Sequence, residues 1–105
     1  QVRDLLFVDD MVRMYFSAAE SIKRVSGEVF NIGGGMGNSL SILERFTLLE
    51  RLLDVKLPVE HLPPRKSDQR VFVADVSKAA RLLGWKPTVP AEEGIRRMLD
   101  WCRDA

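Results

Sequence analysis

"NIGGGMGNS", residues 31–39, follows a β-branched, apolar run and precedes an amphipathic one, where a phosphate-cradling turn would sit. A dinucleotide loop needs Gly-x-Gly-x-x-Gly opening a helix, because the glycines permit the tight turn, the approach of the pyrophosphate and helix–strand packing. Counting from Gly33, the sixth position is Asn38; counting from Gly35, the third is Gly37 but the sixth is Leu40. The fingerprint is not met. No Gly-Lys-Ser/Thr follows, so the P-loop pattern is not met either. Two readings remain open: a turn that needs positive φ, and a turn whose free backbone N–H groups face a ligand.

Outward from this turn, the spacing places strands and helices on both sides. "EVFNI" (28–32) reads as a strand of β-branched and aromatic residues closed by the glycines. Ser41 and Glu44 have capping-box spacing, and Ile42, Phe46, Leu49 and Leu53 form one apolar stripe of the helix that follows. Before the turn, a strand runs to Val8. Asp9 or Asp10 caps a helix whose stripe is Val12, Tyr15, Phe16, Ala19 and Ile22, ending near Ser26 and Gly27. After it, "VEHL" (59–62) and "VFVA" (71–74) read as short strands and "PPRKSDQR" (63–70) as a loop. Asp75 starts a short helix through Leu83 that Gly84 stops. Pro90 opens a last helix with Ile95, Met98, Leu99 and Cys102 facing inward.

The 105 residues suffice for one domain, expected to hide roughly two-thirds of its unfolded surface. With 46% hydrophobic and 30% charged residues the chain is globular rather than disordered. Sixteen basic and fifteen acidic residues give a net charge of +1, too balanced for nonspecific nucleic-acid or anionic-membrane binding, so an anion site must be local. No apolar run is long enough to span a membrane. The single cysteine, Cys102, forms no internal disulfide and reads as a buried small apolar residue, which suits a reducing, cytoplasmic compartment. The chain opens on Gln1 without Met, directly in a strand-like run, and is expected to be part of a longer protein.

Catalytic sets are sparse. Tyr15 is followed four residues later by Ala19, so there is no Tyr-x-x-x-Lys pair, and His61 stands alone in a strand-like segment as a structural histidine. Ser39 and Ser41 have no His or Asp partners, and capping accounts for Ser41. No catalytic, cofactor-binding or metal-ligating residue is expected here. The arginines carry more: Arg3 lies at a strand end, and Arg65 lies in a proline-bounded loop with Asp68 three residues on. A guanidinium holds a diphosphate through paired hydrogen bonds while a nearby carboxylate accepts from ribose or base donors. A solvated surface ion pair is the competing reading of Arg65 and Asp68.

Four blocks in order, "QVRDLLFVDDMV", "GEVFNIGGGMGNSLSILE", "PRKSDQRVFVADVSKAARLLGWKP" and "EEGIRRMLDW", resemble the C-terminal part of extended short-chain dehydrogenases/reductases, the nucleotide-sugar epimerases and dehydratases. The likeness covers nearly the whole chain. It implies an α+β fold, a small helical domain with short strands that lacks the dinucleotide-binding Rossmann domain, with residues 1–105 as the nucleotide-sugar-binding part. It further implies that Arg3 and Arg65 clamp the substrate diphosphate, that Asp68 contacts the ribose and that the Met36 loop lies near the base.

NAD and the Tyr-x-x-x-Lys pair would belong to the missing N-terminal Rossmann domain. These residues would orient a nucleotide-diphosphate sugar without moving proton or hydride, and would be inactive alone. Leu5 stands where many 4-epimerases have an aromatic ring, and Arg65-Lys66-Ser67-Asp68 replaces the commoner Arg-Pro-Gly-Asp. "SDQRVFVAD" and "GGGMGNSLS" look nearer to 2-epimerases of CDP-tyvelose or CDP-paratose than to UDP-galactose 4-epimerases. The resemblance also makes Val29–Ile32 a strand of the Rossmann sheet, so that without the sheet its edge would pair with another strand or drive self-association. From another class, a free-standing module whose arginines bind acidic groups of a partner protein fits the same residues.

Overall fold

The computed structural model describes residues 1–105 as nine short elements. They run β1 (Val2–Asp4), α1 (Val8–Glu20), α2 (Ile22–Val25), a 3-10 turn (Met36–Asn38), β2 (Ser39–Ser41), α3 (Ile42–Leu53), β3 (Val71–Phe72), α4 (Ser77–Leu83) and α5 (Ala91–Asp104). The α+β class is as read, with five helices. One three-stranded sheet has the order β2-β1-β3, with β1 antiparallel to β2 and parallel to β3.

Local signals placed most boundaries. Ser41 Oγ accepts from the Glu44 N–H at 3.0 Å, and Glu44 Oε1 accepts from the Ser41 N–H at 2.9 Å. Two of the donors left free at the start of α3 are thereby satisfied. The Ser77 N–H donates to Asp75 Oδ1 at the entry to α4. Gly84 ends that helix at φ 65°, a left-handed conformation that disfavours any residue with a Cβ. Pro90 immediately precedes α5, as read, and the Ala91 N–H donates to Asn38 Oδ1 at 2.9 Å.

Several expectations fail, mostly because partners lie far away in sequence. The first strand stops at Asp4, and Val8 already belongs to α1, whose N-cap is Phe7 with no side-chain cap. Asp10 caps nothing. Its side chain, only 2% exposed, accepts from the N–H of Thr88 (2.9 Å), the Thr88 hydroxyl (2.8 Å), the N–H of Val89 (3.0 Å) and Arg13 (3.0 Å). Its backbone carbonyl accepts from Trp85 Nε1. Trp85 has no exposed surface and forms the core with Met14 and Ala79, edged by Leu6, Phe30, Ile32, Val76 and Leu83.

The apolar stripe of α1 therefore points away from the core, which takes Asp10 and Met14 instead. Tyr15 and Phe16 are 64% and 66% exposed, and Val12 and Ile22 are exposed too. Residues 28–32 form no ladder: Phe30 and Ile32 lean on the core, whereas Val29 faces solvent. "VEHL" has no strand partner either. Leu48, rather than the stripe read for α3, is that helix's buried residue. On α5, Met98 and Cys102 are exposed, so Cys102 is not a core residue.

The surface accounting departs from a closed domain. An unfolded chain of 11.9 kDa exposes about 17,000 Å². The folded chain still exposes 7922 Å², so about half of the surface is hidden rather than two-thirds. A radius of gyration of 16.3 Å exceeds the roughly 13 Å of a compact domain this long.

Candidate functional site

The site is organised by β1, the central strand. Side chains alternate across a sheet, so Arg3 faces one side, flanked in register by Leu40 of β2 and Phe72 of β3, and Asp4 faces the other. Arg3 Nη1 donates to the Val2 carbonyl and Nη2 to the Gln69 carbonyl, each at 2.8 Å. Because β3 is parallel to β1, the loop carrying Arg65, Asp68 and Gln69 arrives at the N-terminal end of β1. Arg3 is thus tied to the residue beside Asp68.

Arg65 Nε donates to Asp68 Oδ2 at 3.2 Å, and the Asp68 N–H donates to the Arg65 carbonyl at 3.3 Å. Between them Ser67 adopts φ 70°, a left-handed conformation that favours glycine, and this turn places Arg65 and Asp68 on one side. The Arg65 side chain is 84% exposed, so its ion pair is worth little and the guanidinium can exchange partners at small cost. Arg3 still has uncommitted N–H groups from its five donors.

Across the sheet, Asp4 fixes the glycine turn. Asp4 Oδ2 accepts from the N–H of Gly35 (3.2 Å) and of Ala74 (3.1 Å). A Cβ on Gly33 would lie 2.1 Å from that same oxygen, and a Cβ on Gly34 would lie 1.8 Å from the Leu5 carbonyl oxygen. Close approach to β1 therefore explains these two glycines, and positive φ (77°) explains Gly35. The turn leads through exposed Met36 to Asn38, whose Nδ2 donates to the Gly34 carbonyl. Because β2 is antiparallel to β1, Met36 lies near the C-terminal end of β1, opposite the Arg65 loop.

Of the four residues read as a site, the fold brings Arg3, Arg65 and Asp68 into one neighbourhood and sets Met36 at the far end of the same strand. Leu40 and Phe72 were missed, although the "VFVA" strand signal contained Phe72. His61 is exposed in irregular chain, away from any strand. Leu5 turns out to line an apolar groove.

The small α+β fold, with its three-stranded sheet and five helices, matches the C-terminal part of Rossmann-type epimerases. The family model described as GDP-mannose 4,6 dehydratase matches residues 1–98, and the chain belongs to that family. It is 46% identical over 101 residues to CDP-paratose 2-epimerase of Salmonella typhi, covering 96% of this chain and 30% of that protein.

Among solved structures, a mutant UDP-glucuronic acid 4-epimerase of Bacillus cereus, in complex with UDP-4-deoxy-4-fluoro-glucuronic acid and NAD, superposes with a TM-score of 0.87 at 33% identity. UDP-glucose 4-epimerase of Thermotoga maritima, solved with UDP-glucose, gives 0.84 at 36%. These matches cover 99% and 98% of this chain but 32% of each relative, so the chain spans about a third of the length of the proteins it matches. No helix is long and apolar enough to cross a membrane.

Proposed function

We propose that this chain is the nucleotide-sugar-binding part of an NAD-dependent epimerase or dehydratase. Arg3 and Arg65 hold the diphosphate, Asp68 accepts from the ribose, and the nucleotide lies along β1 with its base toward Met36. NAD is held elsewhere in the longer protein and supplies hydride chemistry when bound. The residues here contribute binding energy and orientation of the reacting carbon. A CDP-sugar is the favoured substrate class, on the strength of the Salmonella relative. The compartment is cytoplasmic, and neither nucleic acid nor membrane is a partner.

The observation that carries this reading is the bond from Arg3 to the Gln69 carbonyl. It sets one guanidinium beside the turn that carries Arg65 and Asp68, and a guanidinium pairs with phosphate oxygens through parallel hydrogen bonds. In an NMR titration with CDP and UDP at low salt, saturable shifts are expected at Arg3, Arg65 and the Met36 loop. Arg65→Ala is expected to abolish them. Undiminished shifts in that variant would show that Arg65 is not part of the clamp.

A further inference from the structure

Asp4 is the one charged residue of the sheet that the clamp does not use, and it stands between the two ends of the site. Its half-buried carboxylate meets two segments remote from β1 in sequence: Oδ2 accepts from the Gly35 N–H at 3.2 Å and from the Ala74 N–H at 3.1 Å. A Cβ on Gly33 would lie 2.1 Å from that oxygen and 2.8 Å from the Cβ of Ala74, so no spare space separates the turn, the carboxylate and Ala74. Hydrogen bonds to a carboxylate are charge-assisted and roughly twice as strong as neutral ones.

The two ends of the site are held differently. The Arg65 end has its own ties to β1: the Val2 N–H donates to the Arg70 carbonyl at 2.7 Å, and Arg3 Nη2 donates to the Gln69 carbonyl at 2.8 Å. Neither involves Asp4. At the other end, Gly35 sits at φ 77° and leads directly into exposed Met36. Gly33, Gly34 and Gly35 have no side chains with which to anchor that apex. The bond from the Gly35 N–H to Asp4 ties it to the sheet, and the bond from the Leu5 N–H, at 3.0 Å, reaches the turn only at Asn38, three residues later.

We infer that Asp4 is a positioning residue for the nucleotide: it holds the Met36 loop against β1, so that the base is received at a fixed distance from the Arg3 and Arg65 clamp. The inference rests on the nucleotide-sugar reading above. A nucleoside diphosphate is recognised at two places at once, and the second contributes its full binding energy only when the protein has set their separation before the ligand arrives. Asp4 thus raises affinity without touching the ligand, by sparing the loop an ordering cost on binding.

The test measures, by calorimetry on the full-length protein, the binding of CDP and of inorganic pyrophosphate to the wild type, Asp4→Asn and Asp4→Ala. Asp4→Ala is expected to weaken CDP by at least about tenfold, the scale of losing a hydrogen bond to a charged group, and to leave pyrophosphate unchanged. Asp4→Asn keeps the shape and an acceptor oxygen but not the charge, and its CDP affinity should fall between the two. Equal CDP affinities in the wild type and both variants would overturn the inference. So would pyrophosphate weakening in step with CDP, the mark of a residue that only stabilises the fold. If Asp4→Ala does not fold, judged by the near-ultraviolet signal of buried Trp85, the wild type and Asp4→Asn decide the question on the same terms. Failure of the nucleotide reading shows in the wild type alone, as CDP bound no more tightly than pyrophosphate, and would take the inference with it.

Discussion

Replacing Asp10 with Ala is expected to cost the chain about 3–5 kcal/mol, the range for removing one partner of a buried, hydrogen-bonded charge. The carboxylate is 2% exposed and accepts from four donors, two of them backbone N–H groups of the 88–89 turn. Alanine leaves those N–H groups shielded and unpaired, and water cannot readily replace an acceptor inside the packing around Trp85. Since whole domains are stable by only about 5–15 kcal/mol, this loss removes a large share of the stability and should lower the urea midpoint sharply. Urea titration followed by the near-ultraviolet signal of Trp85 measures this, and an unchanged midpoint would refute the role given to Asp10.

The same group sets an acid limit. Burial raises the Asp10 pKa, but the bonds from Val89, Thr88 and Arg13 together outweigh burial and hold it below the ordinary carboxyl value. A depressed native pKa contributes stability that is present above the unfolded-state value, near 4, and is lost as pH falls through the native value. The urea midpoint should therefore drop below about pH 4, and the Ala variant should lack this component.

Gly34→Ala is the second large effect, expected at about 3 kcal/mol or more, the upper end of overpacking costs. Its Cβ would sit 1.8 Å from the backbone oxygen of Leu5, with no flexible side-chain tip to move aside. The turn must then lift from β1, which breaks the bond from the Leu5 N–H to the Asn38 carbonyl and frees Asn38 from the start of α5. Gly37→Ala, where a Cβ meets nothing, should stay within about 0.5 kcal/mol. Parallel melts of the two variants check the contrast, and equal losses would mean the close approach is not what requires Gly34.

What the sequence disclosed divides by the range of the interaction. The capping box at Ser41, the stop at Gly84 and the entry at Pro90 are settled within four residues, and all three stand. The periodicity of α1 was legible as a helix, but which face is buried depends on what packs against it. Among these residues the packing side is Asp10 and Met14. Asp10 was invisible as a buried acceptor because Thr88 and Val89 are 78 and 79 residues away. The strand reading of residues 28–32 captured the alternation, with Phe30 and Ile32 inward, but a ladder needs a neighbour that this chain does not place there. At the site, Arg3, Arg65 and Asp68 stood out by position and spacing and took their roles from resemblance, whereas the bond from Arg3 to Gln69 and the register beside Leu40 and Phe72 needed the fold.

The central claim is that Arg3 and Arg65 together read a diphosphate. The most direct measurement compares, by calorimetry on the full-length protein, the affinities for CDP and UDP with those for cytidine and uridine, in the wild type and in Arg3→Ala/Arg65→Ala. Charge-assisted bonds contribute about 1.5–3 kcal/mol each, so the preference for diphosphate over nucleoside should fall by at least about tenfold in the double variant. A preference that survives removal of both arginines would contradict the account.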